Sequence, residues 1–224
     1  NRIINTGIRP GAIAPRTITD LLHAINVSVD DNASIQSNII ENTGYVGIRF
    51  QGNGITVANN VIKRFTTVLD DGGAIYTYNR GGDSVEQWSA RTIAHNIISE
   101  GVGAGAGTAT NATQSYGVYL DLNTNNVTVS NNTIFDVASK AITANSPHNV
   151  TLTGNTVYNT EVGIGFNRLH DGVAGGQDIS GITMNGNVVF QTENDQSAIQ
   201  YVDVDINYPT TSTVDARIAS MGSI

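Results

Sequence analysis

Acidic and aromatic side chains are concentrated in one short segment of the sequence, residues 69–78, which reads LDDGGAIYTY. Asp70 and Asp71 stand directly before two glycines, which would let a ligand approach the backbone, and Tyr76 and Tyr78 follow. Residues spaced by two lie on the same side of a β-strand. The segment therefore predicts a strand with two acids at its start and two aromatic rings on one face.

Two further acids, Glu100 and Asp121, follow at intervals that could place them beside this segment. Glycoside hydrolysis requires two carboxyl groups that flank the glycosidic bond, about 5–5.5 Å apart for retention or about 6.5–9.5 Å for inversion. Repulsion between such acids raises the pKa of one of them, which supplies the protonated acid that the reaction needs. The candidate catalytic residues are therefore Asp70, Asp71, Glu100 and Asp121. Asp71 is preferred because it lies nearest to the strand.

Substrate contacts would come from flat aromatic faces, on which sugar rings can stack, and from polar or basic groups beside them. The predicted substrate-binding residues are Arg49, Gln51, Arg64, Tyr76, Tyr78, Trp88 and Tyr119. The alternative for the acidic segment is structural, because Asp-Asp-Gly-Gly is also an ordinary turn composition. Under that interpretation Asp70 would close a loop.

The elements that would position these residues are indicated by a repeated phrase: strand-forming residues, then an asparagine, then two β-branched or apolar residues. The asparagines recur at intervals of 22 to 36 residues and are Asn38, Asn60, Asn96, Asn132, Asn155 and Asn187. Such periods are typical of solenoids, in which each repeat buries its apolar face against its neighbours. Because the repeat consists of strands, we predict an all-β fold, a right-handed parallel β-helix. From Asn60 onward the asparagines would form an internal ladder of side-chain amides.

A second repeated strand carries the tyrosines. Alternation along it predicts an inward column of Ile48, Ile75, Val118, Ile142, Ile164 and Ile199. The next positions form an outward column of Arg49, Tyr76, Tyr119, Thr143, Gly165 and Gln200. A second outward column contains Gln51, Tyr78, Asp121, Asn145, Asn167 and Val202. Neighbouring coils lie about 4.8 Å apart, so the acids and tyrosines of the early coils would share one outer wall. The later coils carry smaller side chains there.

Extra chain interrupts the early coils at residues 65–71, 79–90 and 101–107, and a smaller insertion covers residues 168–177. These segments enter or leave the tyrosine-bearing strand, so they would wall one groove-forming sheet, where function is commonly located. Arg64 and Glu100 both follow a ladder asparagine by the same interval on adjacent coils. An ion pair between them is the alternative to a role in binding.

Composition limits the partners of the chain. A net charge of -8 argues against non-specific nucleic-acid binding, which needs a basic face, and against an unassisted polyanionic substrate. The absence of cysteine excludes disulfides and thiolate metal sites. We expect no cofactor, although the acidic turns at residues 30–32 and 203–205 could bind Ca²⁺. No stretch is apolar for long enough to insert into a membrane.

A length of 224 residues suits one domain formed by several solenoid coils. Residues 1–7 read like the middle of a coil, and the sequence does not open with a signal-peptide pattern. We therefore expect residues 1–224 to be a single β-helix domain that is part of a longer chain. Residues 207–224 lack the coil pattern and are predicted to be a cap or a tail.

The phrases DGGAIYT at residues 71–77 and GVYLD at residues 117–121 resemble those of right-handed parallel β-helix proteins of the pectate-lyase-like class. The resemblance extends over residues 35–201. Its members are commonly secreted bacterial carbohydrate-active enzymes, including glycoside hydrolases that use paired acids. The resemblance implies functional roles for Asp71 and Asp121 and a polysaccharide or oligosaccharide substrate. It also implies a bacterial protein that is secreted, on the cell surface or in the periplasm.

Two other functions stay open beside a glycoside hydrolase. A polysaccharide lyase would abstract a proton next to a uronate carboxylate, and it needs a base and a cation, for which Arg49, Lys63 and Arg64 are the candidates. A non-catalytic carbohydrate-binding or adhesive β-helix would present tyrosines without closely paired acids. The small number of basic residues on the predicted face favours the hydrolase over the lyase.

Overall fold

The computed structural model describes residues 1–9, 22–79, 88–105, 113–169 and 178–203. Within these ranges every strand pairing is parallel. In chain order the strands are β1 (Arg2–Thr6), β2 (Ile25–Gln36), β3 (Ile39–Thr43), β4 (Ile48–Ala58), β5 (Val61–Phe65), β6 (Gly72–Tyr78), β7 (Arg91–Ala94), β8 (Ile97–Gly101), β9 (Ser115–Asp121), β10 (Asn125–Ser130), β11 (Thr133–Asn145), β12 (His148–Thr153), β13 (Thr156–Arg168), β14 (Ser180–Asn185), β15 (Val188–Phe190) and β16 (Ser197–Asp203).

Each coil contributes to three parallel faces of one winding sheet. The asparagine face contains β1, β3, β5, β8, β15 and the first parts of β11 and β13. The tyrosine face contains β6, β9, β16, the beginnings of β2 and β4 and the ends of β11 and β13. The third face contains β7, β10, β12, β14 and the ends of β2 and β4. The parallel β-helix predicted from the repeats is confirmed.

The register of the tyrosine face follows the predicted columns. Arg49 pairs with Tyr76, Tyr76 with Tyr119, and Tyr119 with Thr143. The inward column is buried from Ile48 onward, and its last member, Ile199, is 49% exposed because no described coil covers it. Alternation along each strand thus buries one column and turns the next outward.

The amide ladder of the asparagine face also forms. In each rung the Oδ1 atom accepts hydrogen bonds from the backbone N–H and the Nδ2 group of the ladder asparagine one coil earlier, at 2.9–3.1 Å. Asn1 adds a further rung through its Nδ2 bond to Asn38. The residue before each ladder asparagine from Asn38 onward has a left-handed backbone, with φ between 53° and 65°. Short polar residues and glycine tolerate this conformation, which turns the chain onto the asparagine face.

Insertions distinguish the early coils from the later ones. Residues 66–71 connect β5 on the asparagine face to β6 on the tyrosine face, and the described residues 102–105 and 113–114 lie at the corresponding corner between β8 and β9. In the later coils β11 and β13 pass directly from one face to the other, with only a register shift in β11 between Val137 and Lys140. The expected insertion at residues 65–71 and the described part of the one at residues 101–107 therefore border the tyrosine face, whereas residues 80–87, 106–112 and 170–177 lie outside the described part of the chain.

Candidate functional site

Five side chains on the outer side of the tyrosine face form one hydrogen-bonded group, which we call the acid–tyrosine cluster: Asp71, Tyr76, Tyr119, Asp121 and Asn145. The Tyr119 hydroxyl donates to Asp71 Oδ1 at 3.2 Å and accepts from Asn145 Nδ2 at 3.1 Å. Asn145 Nδ2 also donates to Asp121 Oδ1 at 2.7 Å, and the Tyr76 hydroxyl donates to Asp121 Oδ2 at 3.0 Å. The structure thus brings together the two acids that the family resemblance implied.

Asp71 occupies the turn immediately before β6, where its φ of 58° is left-handed. Its backbone N–H donates to the Gln114 carbonyl at 2.9 Å, and its own carbonyl accepts from the Tyr45 hydroxyl at 2.8 Å. A Cβ at the following residue, Gly72, would lie 2.6 Å from Tyr45 Cε2. Because only glycine fits against that ring, the turn is held tightly while the Asp71 side chain stays exposed to solvent.

The separation of the two acids is limited by the contacts between them. Asp71 is connected to Asp121 through Tyr119 and Asn145 by contacts of 3.2, 3.1 and 2.7 Å. Their nearest oxygens therefore lie no more than about 9 Å apart, which does not exceed the largest separation, about 9.5 Å, of paired acids in glycoside hydrolases. This upper limit is compatible with retaining or with inverting chemistry.

The surroundings of the cluster favour a proton on Asp71. Partial desolvation by the neighbouring protein raises the pKa of Asp71, and the charges of Asp121 and Asp70 raise it further, against an opposing hydrogen bond from Tyr119. Burial, followed by the nearby acids, also raises the pKa of Tyr76 and Tyr119, so both hydroxyls remain donors. Asp121 accepts from Tyr76, from Asn145 and from the backbone N–H of Leu122 at 2.8 Å. These donors fix the orientation of the Asp121 side chain.

A row of four aromatic rings runs beside the acids and consists of Tyr78, Tyr76, Tyr119 and Tyr116. Successive ring centroids lie 5.8, 5.2 and 4.6 Å apart. At one end the Arg49 guanidinium lies over the Tyr78 ring, 5.3 Å from its centroid. Gln51 accepts from Arg49 and donates to the Tyr78 carbonyl, both at 3.3 Å. Arg49, Gln51, Tyr76, Tyr78 and Tyr119 are thus assembled on the face where the sequence placed them.

Asp70 contacts a loop instead of the cluster. Its side chain is buried, and Oδ1 accepts from the backbone N–H of Ala104 at 2.8 Å. This contact fixes the chain that follows β8, which agrees with the alternative that Asp70 closes a loop. The two adjacent aspartates therefore have different surroundings, and Asp71 alone of the two joins the acid–tyrosine cluster.

Glu100 and Arg64 lie on the asparagine face, apart from the contacts of the cluster. The expected ion pair between them is wrong, because Glu100 Oε1 pairs with Lys63 Nζ at 3.1 Å. Lys63 points outward from β5 toward the adjacent β8, so it reaches Glu100 across one coil spacing. Arg64 has a left-handed φ of 59° and is exposed. That backbone turn gives its side chain a direction that strand alternation does not predict.

Trp88 packs on a buried arginine. Its ring lies 5.0 Å from the Arg91 guanidinium carbon, and its backbone is held by Asn125 and Asn126. Burial lowers the pKa of Arg91 to about 9, and this side chain donates to Thr77 Oγ1 at 3.2 Å. Trp88 therefore covers the corner between the tyrosine face and the third face, and its ring contact is with Arg91 instead of the tyrosine row.

The structure adds polar residues to the site in the later coils, where only small side chains were expected. Asn145 belongs to the cluster itself, and Asn167 Nδ2 donates to Asn145 Oδ1 at 2.7 Å. Lys140 Nζ in turn donates to Asn167 Oδ1 at 3.2 Å. The shared column of Asp121, Asn145 and Asn167 was the signal that could have identified the two amides. No sequence signal indicated where the long Lys140 side chain would reach.

Metal and membrane predictions can be compared with the described part of the chain. There, no three or more His, Cys, Asp or Glu side chains are grouped so that they could hold a metal ion. Asp203 instead accepts from Arg168 at 3.4 Å, while Asp205, the other acid of the proposed Ca²⁺ turn, lies outside the described residues. Within the same ranges no helix is long and apolar enough to cross a membrane.

Residues 13–213 match the family described as the right handed beta helix region. The chain belongs to this family. Membership confirms the right-handed parallel β-helix, and it fits a carbohydrate-active enzyme or a carbohydrate-binding protein. No curated protein and no solved structure matches the chain.

Proposed function

We propose that this protein is a glycoside hydrolase that cleaves a polysaccharide or oligosaccharide bound along the tyrosine face. The observation that carries the proposal is the connection of Asp71 to Asp121 through Tyr119 and Asn145. Family membership supports a carbohydrate ligand. A polymeric substrate also suits a bacterial protein that is secreted, displayed on the cell surface or located in the periplasm.

The two acids take different roles because their surroundings differ. Asp71 is exposed and its pKa is raised, so it is suited to donate a proton to the leaving glycosidic oxygen. Asp121 is oriented by hydrogen bonds from three donors and acts as the nucleophile or as the base that activates water. Tyr119 and Asn145 hold the two groups in fixed relation, which lowers the cost of reaching the reactive geometry.

The tyrosine row would support the sugar rings. Its members lie on two adjacent strands, Tyr76 and Tyr78 on β6 and Tyr116 and Tyr119 on β9, so an extended chain of sugars can cross from one coil to the next while it passes the acid pair. Aromatic faces bury the apolar side of a ring, and the polar edges of the same groove bind its hydroxyls. Arg49 and Gln51 supply such polar groups at the Tyr78 end.

The test is an assay of the purified protein on a panel of neutral and acidic polysaccharides, in which new reducing ends are measured. We expect wild-type protein to release reducing ends from at least one substrate, and the Asp121→Asn variant to lose this activity while it still folds. Retention of oligosaccharide without any turnover would contradict the hydrolase and favour the non-catalytic binding protein.

A polysaccharide lyase is the second candidate, and Lys140 is the observation that favours it. Desolvation lowers the pKa of Lys140, which increases the fraction of neutral amine that could act as a base. Asn167 and Asn145 connect this amine to the acid–tyrosine cluster. Products with the ultraviolet absorbance of an unsaturated uronate would identify the lyase, whereas reducing ends without that absorbance identify the hydrolase.

A further inference from the structure

A single lysine lies next to the acid–tyrosine cluster on the later coils of the tyrosine face. Lys140 pairs in register with Tyr116 at the end of the aromatic row. Its side chain crosses to the next coil, where Nζ donates to Asn167 Oδ1 at 3.2 Å. A Cβ at Gly165 would lie 2.8 Å from Lys140 Cδ, so the aliphatic part of the lysine occupies space that the glycine leaves open.

A row of amides fixes the position of this ammonium group relative to the acids. Asn167 accepts from Lys140 and uses its Nδ2 group to donate to Asn145 Oδ1 at 2.7 Å and to Thr143 Oγ1 at 3.3 Å. Asn145 in turn donates to Asp121. Asn145 lies one coil beyond Asp121 and Asn167 lies one coil further, so the Asn167 amide that accepts from the ammonium lies about 10 Å from Asp121, at twice the usual strand spacing.

The ammonium group has donors to spare. An ammonium carries three N–H donors, and Asn167 accepts one of them from Lys140. Glu161 is the acid whose charge acts on Lys140, but it is exposed and forms no ion pair with Lys140 within the described ranges. The lowered pKa of Lys140 indicates that its neighbours do not offset the loss of hydration. A bound anion would supply the missing compensation.

We infer that Lys140 and Asn167 form a subsite for an anionic group of the substrate, a carboxylate or a sulfate on a sugar beside the one that is cleaved. The inference rests on the proposed function in that the same groove must hold a saccharide. Arg49 lies beyond Tyr78 at the opposite end of the row, so positive side chains flank the acid pair on both sides. Local charge thus accommodates an acidic saccharide although the whole chain carries a net charge of -8.

The experiment measures binding of defined oligosaccharides to the Asp71→Asn variant, which is chosen so that the ligand is not cleaved. The probes are oligogalacturonides, their methyl esters, sulfated carrageenan oligosaccharides and neutral cello-oligosaccharides. A charge-assisted hydrogen bond predicts that an acidic probe binds about tenfold more tightly than its uncharged counterpart at low salt. The carboxylated and sulfated probes distinguish the two sources of the anion.

Three substitutions on this background locate the effect. Lys140→Gln should reduce the preference for the acidic probe to about twofold or less, because it removes the charge. Gly165→Ala should reduce it as well, since the added methyl group displaces the lysine stem while the charge remains. Lys63→Gln is the control, because Lys63 pairs with Glu100 on the asparagine face, and it should keep the full preference.

The subsite and the hydrolase fail in different ways. Equal binding of acidic and uncharged probes, or a preference that survives Lys140→Gln, overturns the subsite even if wild-type protein releases reducing ends. A preference that depends on Lys140, found in a protein that releases no reducing ends from the preferred probe, supports the subsite and contradicts the hydrolase. If none of the saccharide probes binds, both inferences fail.

Discussion

Replacement of Asp71 by asparagine removes the proposed proton donor with little disturbance of its surroundings. Asparagine has almost the same size and tolerates the left-handed backbone of this position, where φ is 58°. Its amide oxygen can still accept the hydrogen bond from Tyr119, which lies 3.2 Å from Asp71 Oδ1. The variant should therefore fold, and any loss of turnover reports on the acid itself.

The expected loss is large because proton transfer is a major part of the rate. A positioned acid or base contributes about 10²–10⁴-fold to the rate, which corresponds to about 3–5 kcal/mol of transition-state stabilisation. We expect Asp71→Asn to lower kcat/KM by this factor on the substrate that the wild-type protein cleaves. The measurement is the initial rate of reducing-end release at several substrate concentrations.

The pH dependence gives a second readout of the same group. A general acid must be protonated, so wild-type activity should fall as the pH rises through the raised pKa of Asp71. The variant has no proton to lose at this position. Its residual activity should therefore lack that alkaline limb.

The direction in which Asp71→Asn changes the free energy of unfolding can also be predicted. The pKa of Asp71 is higher in the folded protein than in the unfolded chain, where it is near 3.8. As the pH rises from the unfolded pKa through the folded pKa, the contribution of Asp71 to the free energy of unfolding therefore decreases. Asp71→Asn should thus unfold at equal or higher urea concentration than wild type at neutral pH. The difference should vanish below the unfolded pKa.

Asp136→Asn is the matched control. Asp136 also has a left-handed backbone, with φ 53°, and accepts a side-chain hydrogen bond from Asn159 at 2.7 Å, but it lies outside the acid–tyrosine cluster. Its replacement should leave turnover unchanged. Activity of Asp71→Asn within about twofold of wild type would refute the assignment, since it is far smaller than the effect of a lost general acid. An equal loss in both variants would refute it too.

Three further predictions concern the cluster and the coil that supports it. Tyr119→Phe removes the hydrogen bond that opposes the raised pKa of Asp71, so the alkaline limb of the pH–rate profile should move to higher pH; a shift to lower pH would contradict this. Asn60→Ala leaves several buried ladder groups without partners, so it should lower the free energy of unfolding, measured in urea, by about 3 kcal/mol or more. The control is Asn59→Gly at an exposed left-handed position, which should lower the free energy of unfolding by less than about 1 kcal/mol. Equal losses in the two variants would argue against the ladder. Gly117→Ala places a Cβ 2.5 Å from a carbonyl oxygen of the next coil, so it should lower the free energy of unfolding by about 1–3 kcal/mol in the same measurement. Unchanged stability would show that the coils can separate.

The sequence by itself determined the coil. In a β-helix the backbone register is set by strand alternation and by a repeated turn, and both are local: the asparagine repeat marks the turn, and the alternating apolar residues mark the inward column. Residues far apart in the chain, such as Tyr76 and Tyr119, could therefore be placed side by side. The same register placed Asp121 beside Tyr78 on one outer wall, whereas the role of Asp71, in the turn before β6, was implied by the family resemblance.

The tertiary structure decided what the side chains do at that wall. Strand alternation does not apply at left-handed turns or in inserted loops, so the separate surroundings of Asp70 and Asp71 depended on how residues 102–105 pack. Long side chains also reach beyond their own coil: Lys63 meets Glu100, and Lys140 crosses Gly165 to meet Asn167. The sequence pattern specifies where each Cα lies in a regular coil. The position that a flexible side chain reaches depends on the space between its neighbours, and that space is defined only when the coils are stacked.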